Sequence, residues 1–122
     1  MATRILIVDD RTVVRTELRN VFELTGTICV VGEAADGWDA IRQARALKPD
    51  IVLMDLEMPG MDGFEATRRL KAGCLAQTVI VFTVYGDADH RQMALQCGAD
   101  AFVVKGTDLN SLLDLFDRLT HR

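Results

Sequence analysis

The sequence is sparing with the residues that announce several protein classes. It holds only three cysteines, Cys29, Cys74 and Cys97, an odd number with no CxxC pair. That argues against a disulfide framework and leaves free thiols in a reducing compartment as the expectation. No apolar run approaches the roughly 20 residues needed to cross a bilayer, and no secretory leader opens the chain. A cytoplasmic protein without a membrane role is expected. Lys and Arg number 14 against 18 Asp and Glu, for a net charge of −4, and no basic block exists. The domain alone is therefore not expected to grip nucleic acid. The two histidines, His90 and His121, fall on expected helix surfaces without a ligand pattern around them. The single tryptophan, Trp38, reads as a partly exposed packing residue.

What the chain does have is a set of short, wholly apolar, β-branched runs. Ile5–Val8, Ile51–Met54, Val79–Phe82 and Phe102–Val104 each read as a strand buried on both faces. A fifth run, Ile28–Val31, is closed by Gly32. Between the runs the pattern shifts to a period of 3.6. Val14, Leu18, Val21 and Phe22 share one face of a first helix, with Arg15 and Arg19 turned outward, and Gly26 ends it. Ala40, Ile41, Ala44 and Leu47 mark a second helix, stopped at Lys48-Pro49. Phe64, Thr67 and Leu70 mark a third, with Arg68, Arg69 and Lys71 outward. A fourth runs from Ala88 to Gly98. A fifth buries Leu109, Leu112, Leu113, Phe116 and Leu119. Strands alternating with helices predict an α/β fold, a parallel sheet with helices on both faces, in one domain spanning residues 1–122.

Four of the five runs stop at a polar residue. The first stops at Asp9-Asp10, the central one at Asp55, the fourth at Thr83 and the fifth at Lys105. In a parallel sheet these stops share the carboxyl edge, where α/β folds place their sites. Three carboxylates, a hydroxyl and an ammonium then occupy one small volume. Crowded carboxylates repel, and a hard divalent cation with oxygen ligands relieves the repulsion. Mg²⁺ suits a site that offers few protein oxygens and leaves room for water and a phosphate. A nucleophilic carboxylate, a metal, and donors for phosphoryl oxygens are the parts of a phosphoryl-transfer site.

Asp9-Asp10, Asp55 with Met58-Pro59-Gly60 and Gly63, then Thr83 and Lys105, resemble the signature of a response-regulator receiver domain of two-component signalling. The resemblance covers the whole chain. It implies a flavodoxin-like (βα)₅ fold with strand order 2-1-3-4-5. It further implies that Asp55 accepts a phosphoryl group from a histidine kinase or phosphotransfer protein. Asp9, Asp10, Asp55 and the backbone carbonyl of Glu57 would hold Mg²⁺, while Thr83 and Lys105 would meet phosphoryl oxygens. Phe102 matches the switch aromatic three residues before the lysine, and is expected to rotate inward when Thr83 moves toward the phosphate. The surface around Asp87–Gly98 and Lys105–Leu119 would then signal to an output domain or partner, or form a homodimer. Glu57 and Tyr85 flank the site and would tune the lifetime of the phosphate. Gly106 stands where many receivers have proline after the lysine. The Lys105-Gly106 pair, with Val-Ile-Val-Phe-Thr upstream, resembles receivers that precede a helix-turn-helix output domain, which implies transcriptional regulation.

The implied role is that of a switch and not an enzyme. A haloacid-dehalogenase phosphatase would place a second Asp where Glu57 stands, and would carry a cap insertion. A flavodoxin would need a Ser/Thr-rich cradle after Val8. A receiver-like interaction module that takes no phosphate is the remaining alternative.

Overall fold

The computed structural model describes residues 2–120. His121, expected on the last helix, lies outside the described residues. Five parallel strands form one sheet in the order β2-β1-β3-β4-β5, with five helices joining and following them. The strands are β1 (Thr3–Val8), β2 (Ile28–Ala34), β3 (Ile51–Met54), β4 (Thr78–Thr83) and β5 (Ala101–Val104). The helices are α1 (Thr12–Leu24), α2 (Gly37–Leu47), α3 (Gly63–Ala72), α4 (Ala88–Gln96) and α5 (Leu109–Thr120).

Strand periodicity divides the core. Leu6, Val8, Val52, Met54 and Val79 point to the side covered by α2 and α3, where Ala40, Ala44, Ala66 and Leu70 meet them. The alternate residues Ile5, Ile7, Ile51, Leu53 and Ile80 point to the side of α1 and α5, packing with Phe22, Leu112 and Phe116. The rings of Phe22 and Phe116 lie 5.5 Å apart and tilted, tying α1 to α5 beneath the sheet. Both faces of β3 are therefore apolar, which is why its sequence reads as an unbroken run.

One expected boundary moves. The second strand does not close at Gly32 but continues to Ala34. Ile5 pairs with Val30 and Leu6 with Gly32, so Val31 is bulged out of register. Gly32 lies where side chains of α2 come near. A Cβ there would meet the Gln43 Oε1 at 2.3 Å and the Leu47 Cδ1 at 3.0 Å. The glycine marks a close helix approach inside the strand, not its end.

The hydrogen-bond ladder runs past the strand ends to the polar residues. Asp9 N–H donates to the Ala34 carbonyl at 3.0 Å, Asp55 N–H to the Val8 carbonyl at 2.9 Å, and Lys105 N–H to the Thr83 carbonyl at 2.6 Å. Each site residue thus sits on the last rung of the sheet, where its backbone is fixed by a neighbour strand. No cis peptide occurs among the described residues, so the Lys105–Gly106 bond is trans.

Candidate functional site

The rungs bring Asp9, Asp10, Asp55 and Lys105 together as the sequence implies. One carboxylate oxygen from each of Asp9, Asp10 and Asp55 lies within 4.8 Å of the others. Asp9 and Asp55 are buried, at 2% and 6% exposure, while Asp10 is open to solvent. The Lys105 Nζ donates to the Asp9 Oδ2 at 2.8 Å and to the Asp55 Oδ1 at 3.4 Å. The other oxygen of Asp9 accepts from the Arg11 backbone N–H at 2.8 Å. An open pit of about 210 Å³ lies above, lined by Asp10, Arg11, Asp55, Glu57, Tyr85 and Lys105, with Val84 at its rim.

Burial is the main force on the Asp55 carboxyl and pushes it above its ordinary range. The Lys105 ammonium pulls the other way, and the Asp9 and Asp10 charges add to the upward push. The lysine therefore offsets only part of the crowding. A set of three carboxylates around a part-compensated volume, all hard oxygen donors, fits a hard divalent cation.

Thr83 is buried beside this cluster at 1% exposure, and its hydroxyl accepts from the Tyr85 N–H at 3.3 Å. Glu57 and Tyr85 meet across the mouth, the phenol donating to the Glu57 Oε1 at 2.7 Å. That carboxylate holds the Tyr85 proton and raises its pKa. The His90 ring stacks on Tyr85 with centroids 4.8 Å apart, so the rim of the pit continues into α4.

Phe102 lies two residues before Thr83's partner on β5. Thr83 pairs with Val104, and Phe102 with Val81. The expected inward rotation is not needed to bury the ring. Phe102 is already 93% enclosed, against Val81, Ala94, Ala99 and Leu56, with the Arg91 guanidinium 4.8 Å over its face. The cation–π contact and the small side chains of Ala94 and Ala99 make the inward position comfortable without a hydroxyl to lock it.

Arg15 was expected to face solvent and does not. Its guanidinium donates to the Asp9 carbonyl oxygen at 2.6 Å and pairs with Glu33 at 3.2 Å. The only sequence signal was an arginine one turn into the helix that follows the acidic pair. Its partner, Glu33, lies on β2, 18 residues on.

The chain compares closely with known proteins. The family model for the response regulator receiver domain matches residues 5–117. The chain is 44% identical over 110 residues to the uncharacterized transcriptional regulatory protein YhcZ of Bacillus subtilis (strain 168), covering 90% of this chain and 51% of that protein. It is 37% identical over 109 residues to the nitrate/nitrite response regulator protein NarL of Escherichia coli (strain K12), covering 89% and 50%. It thus spans about half the length of the curated relatives it matches. A crystal structure of a LuxR-family two-component response regulator from Aurantimonas sp. SI85-9A1 superposes with a TM-score of 0.90 at 35% identity, covering 100% of this chain and 88% of that one. With five parallel strands in the order 2-1-3-4-5, an acidic cluster on their carboxyl edge, and a family match over nearly its whole length, this chain belongs to the response regulator receiver domain family.

Proposed function

We propose that Asp55 is the phosphoacceptor of this receiver and that residues 1–122 act as one non-enzymatic switch domain. The observation that carries the reading is the position of Asp55: the end of the central strand, buried, between the Lys105 ammonium and two further carboxylates. The phosphoryl donor is a histidine kinase or phosphotransfer protein. An Asp55 carboxylate oxygen attacks phosphorus, the phosphorus–nitrogen bond of the donor phosphohistidine breaks, and the departing imidazole takes up a proton. Asp9, Asp10, Asp55 and the Glu57 carbonyl would hold Mg²⁺. When bound, that ion would neutralise the crowded carboxylates and draw charge from a phosphoryl oxygen.

The remaining steps belong to the chain's own groups. Lys105 already contacts Asp55 and turns from Asp9 to a phosphoryl oxygen as negative charge builds there. Thr83 gives up the Tyr85 N–H and donates its hydroxyl to a second oxygen. Its displacement bears on Val104, its direct neighbour on β5, and through that strand on Phe102 and α4. The surface formed by α4, β5 and α5 passes the signal to an output domain, to a partner protein, or to a second copy as a homodimer. The relatives YhcZ and NarL support transcriptional regulation as the output, and a cytoplasmic location follows from that role. The complete set of acidic pair, acceptor, threonine and lysine favours this reading over a module that takes no phosphate.

The test is labelling with radioactive acetyl phosphate in the presence of Mg²⁺, for wild type and Asp55→Asn. Label is expected on the wild type alone. Undiminished label on the variant would sink the assignment.

A further inference from the structure

The β1–α1 loop carries two of the three carboxylates, yet it lacks the usual lock at a helix start. The helices α2, α3 and α4 are each capped by an Asp side chain, from Asp36, Asp62 and Asp87. At the start of α1 the capping position is Arg11, in extended conformation and with no side-chain cap. Arginine has no acceptor with which to satisfy the helix's first N–H groups. Asp9 is nevertheless pinned, by Lys105 and by the Arg11 N–H. Asp10 is not: its carboxylate has no partner among the described residues, so its place follows from the backbone alone.

That backbone is held from the next turn of α1. The Arg15 guanidinium donates to the Asp9 carbonyl at 2.6 Å, to the Thr12 Oγ1 at 3.2 Å, and to the Glu33 Oε1 at 3.2 Å. Glu33 is itself anchored. Its other oxygen accepts from the Arg19 Nε at 2.6 Å, and its backbone carbonyl accepts from the Gln43 Nε2 at 2.6 Å. One planar fork thus ties the loop to α1 and to β2, and through Glu33 to α2. Arg15 is largely covered, so this is a positioned fork and not a solvated surface pair.

We propose that Arg15 is a positioning residue for the metal site: it fixes the Asp9-Asp10 backbone so that the unpartnered Asp10 carboxylate stays within reach of Asp9 and Asp55. The proposal rests on the reading of these carboxylates as Mg²⁺ ligands. Two adjacent like charges on a loop favour splaying apart, and a loop held together beforehand does not have to be ordered by the ion. Outer groups of this kind are commonly worth about tenfold or more in metal affinity.

The test titrates Mg²⁺ alone into wild type, Arg15→Met and Glu33→Gln, following amide chemical shifts at constant ionic strength. Arg15→Met should raise the apparent Kd about tenfold, and Glu33→Gln, which only loosens the fork, by less. Acetyl phosphate labelling should then need more Mg²⁺ in Arg15→Met but reach the wild-type rate at saturation, because the acceptor is intact. A role confined to stability would lower the melting temperature and leave the Mg²⁺ dependence alone. If Arg15→Met does not fold, Glu33→Gln carries the test. Unchanged Kd in the folded variants, or a maximal rate that stays depressed at saturating Mg²⁺, would overturn the clamp. Wild-type protein that bound no Mg²⁺ would overturn the metal-site reading along with it.

Discussion

Replacing Gly63 with alanine measures how rigidly α3 is seated on the backbone at Asp55. A Cβ at this position would lie 2.1 Å from the Asp55 carbonyl oxygen, 2.7 Å from the Leu56 Cα and 2.9 Å from the Asp55 carbonyl carbon. All three are backbone atoms, so no change of rotamer relieves the clash. The helix must back away from the strand end by about 1 Å, and overpacking of that kind costs about 1–3 kcal/mol. The Gly63 N–H also donates to the Leu56 carbonyl at 3.0 Å, and losing that bond adds about 1 kcal/mol. A loss of about 2–4 kcal/mol lowers the melting temperature of a domain this size by about 6–20 °C. Gly60 is the control. It has φ +74° but open space around its would-be Cβ. Alanine there meets only the left-handed backbone penalty, about 1 kcal/mol. Thermal melts followed by circular dichroism should therefore rank Gly63→Ala well below Gly60→Ala. Equal melting temperatures would refute the claim that α3 rests directly on the backbone of Asp55 and Leu56.

Other expectations follow from the same geometry. The Asp55 carboxyl is raised in the folded state, so the fold binds its proton more tightly than the unfolded chain does. Its contribution to stability therefore falls as pH rises from the unfolded value of 3.8 through the folded one. Metal-free Asp55→Asn should melt above wild type near neutral pH, with the gap closing toward about pH 4; a gap independent of pH would count against the crowding. Lys105→Met leaves Asp9 and Asp55 without their cation and should cost about 3–5 kcal/mol in metal-free urea unfolding. Adding Asp55→Asn to it should recover part of that loss, and strict additivity would show the two sites uncoupled. Phe102→Ala opens a cavity against Val81 and Ala94 and should cost about 3–5 kcal/mol while still taking label at Asp55. Failure of the folded variant to label would place Phe102 in the acceptor chemistry itself.

The sheet and the acidic cluster on its edge are legible because both are written locally. A short β-branched run with a charged stop names a strand and its edge in the same few residues, as Ile51–Asp55 does. What stayed hidden depended on distant partners. Arg15 and Arg19 look like an outward stripe until Glu33, on β2, is placed beside them. Lys71 likewise reads as outward but pairs with Asp100, at the foot of β5, at 2.8 Å. Gly32 looks like a stop because a glycine ends many strands, and only the approach of α2 shows why it continues. The burial of Phe102 is hidden for a related reason: the small residues that admit the ring, Ala94 and Ala99, come from α4 and the loop after it. No pattern within β5 encodes them.

The helix α4 buries Ala94 alone along its length, whereas α3 buries Gly63, Ala66, Thr67 and Leu70. Met93 and Leu95 stand out in solvent, half exposed. So little covered apolar surface means that α4 can detach, fray or re-dock without the sheet opening. Its amides should exchange with deuterium through sub-global openings far cheaper than unfolding of the domain, while those of α3 wait for the whole structure to come apart. A group that favours one seating of α4 over another by only a few kcal/mol can then change which seating dominates. The lightly anchored helix sits next to the rim of the Asp55 pit, through Tyr85 and His90, so a perturbation there meets a part of the fold that is held loosely.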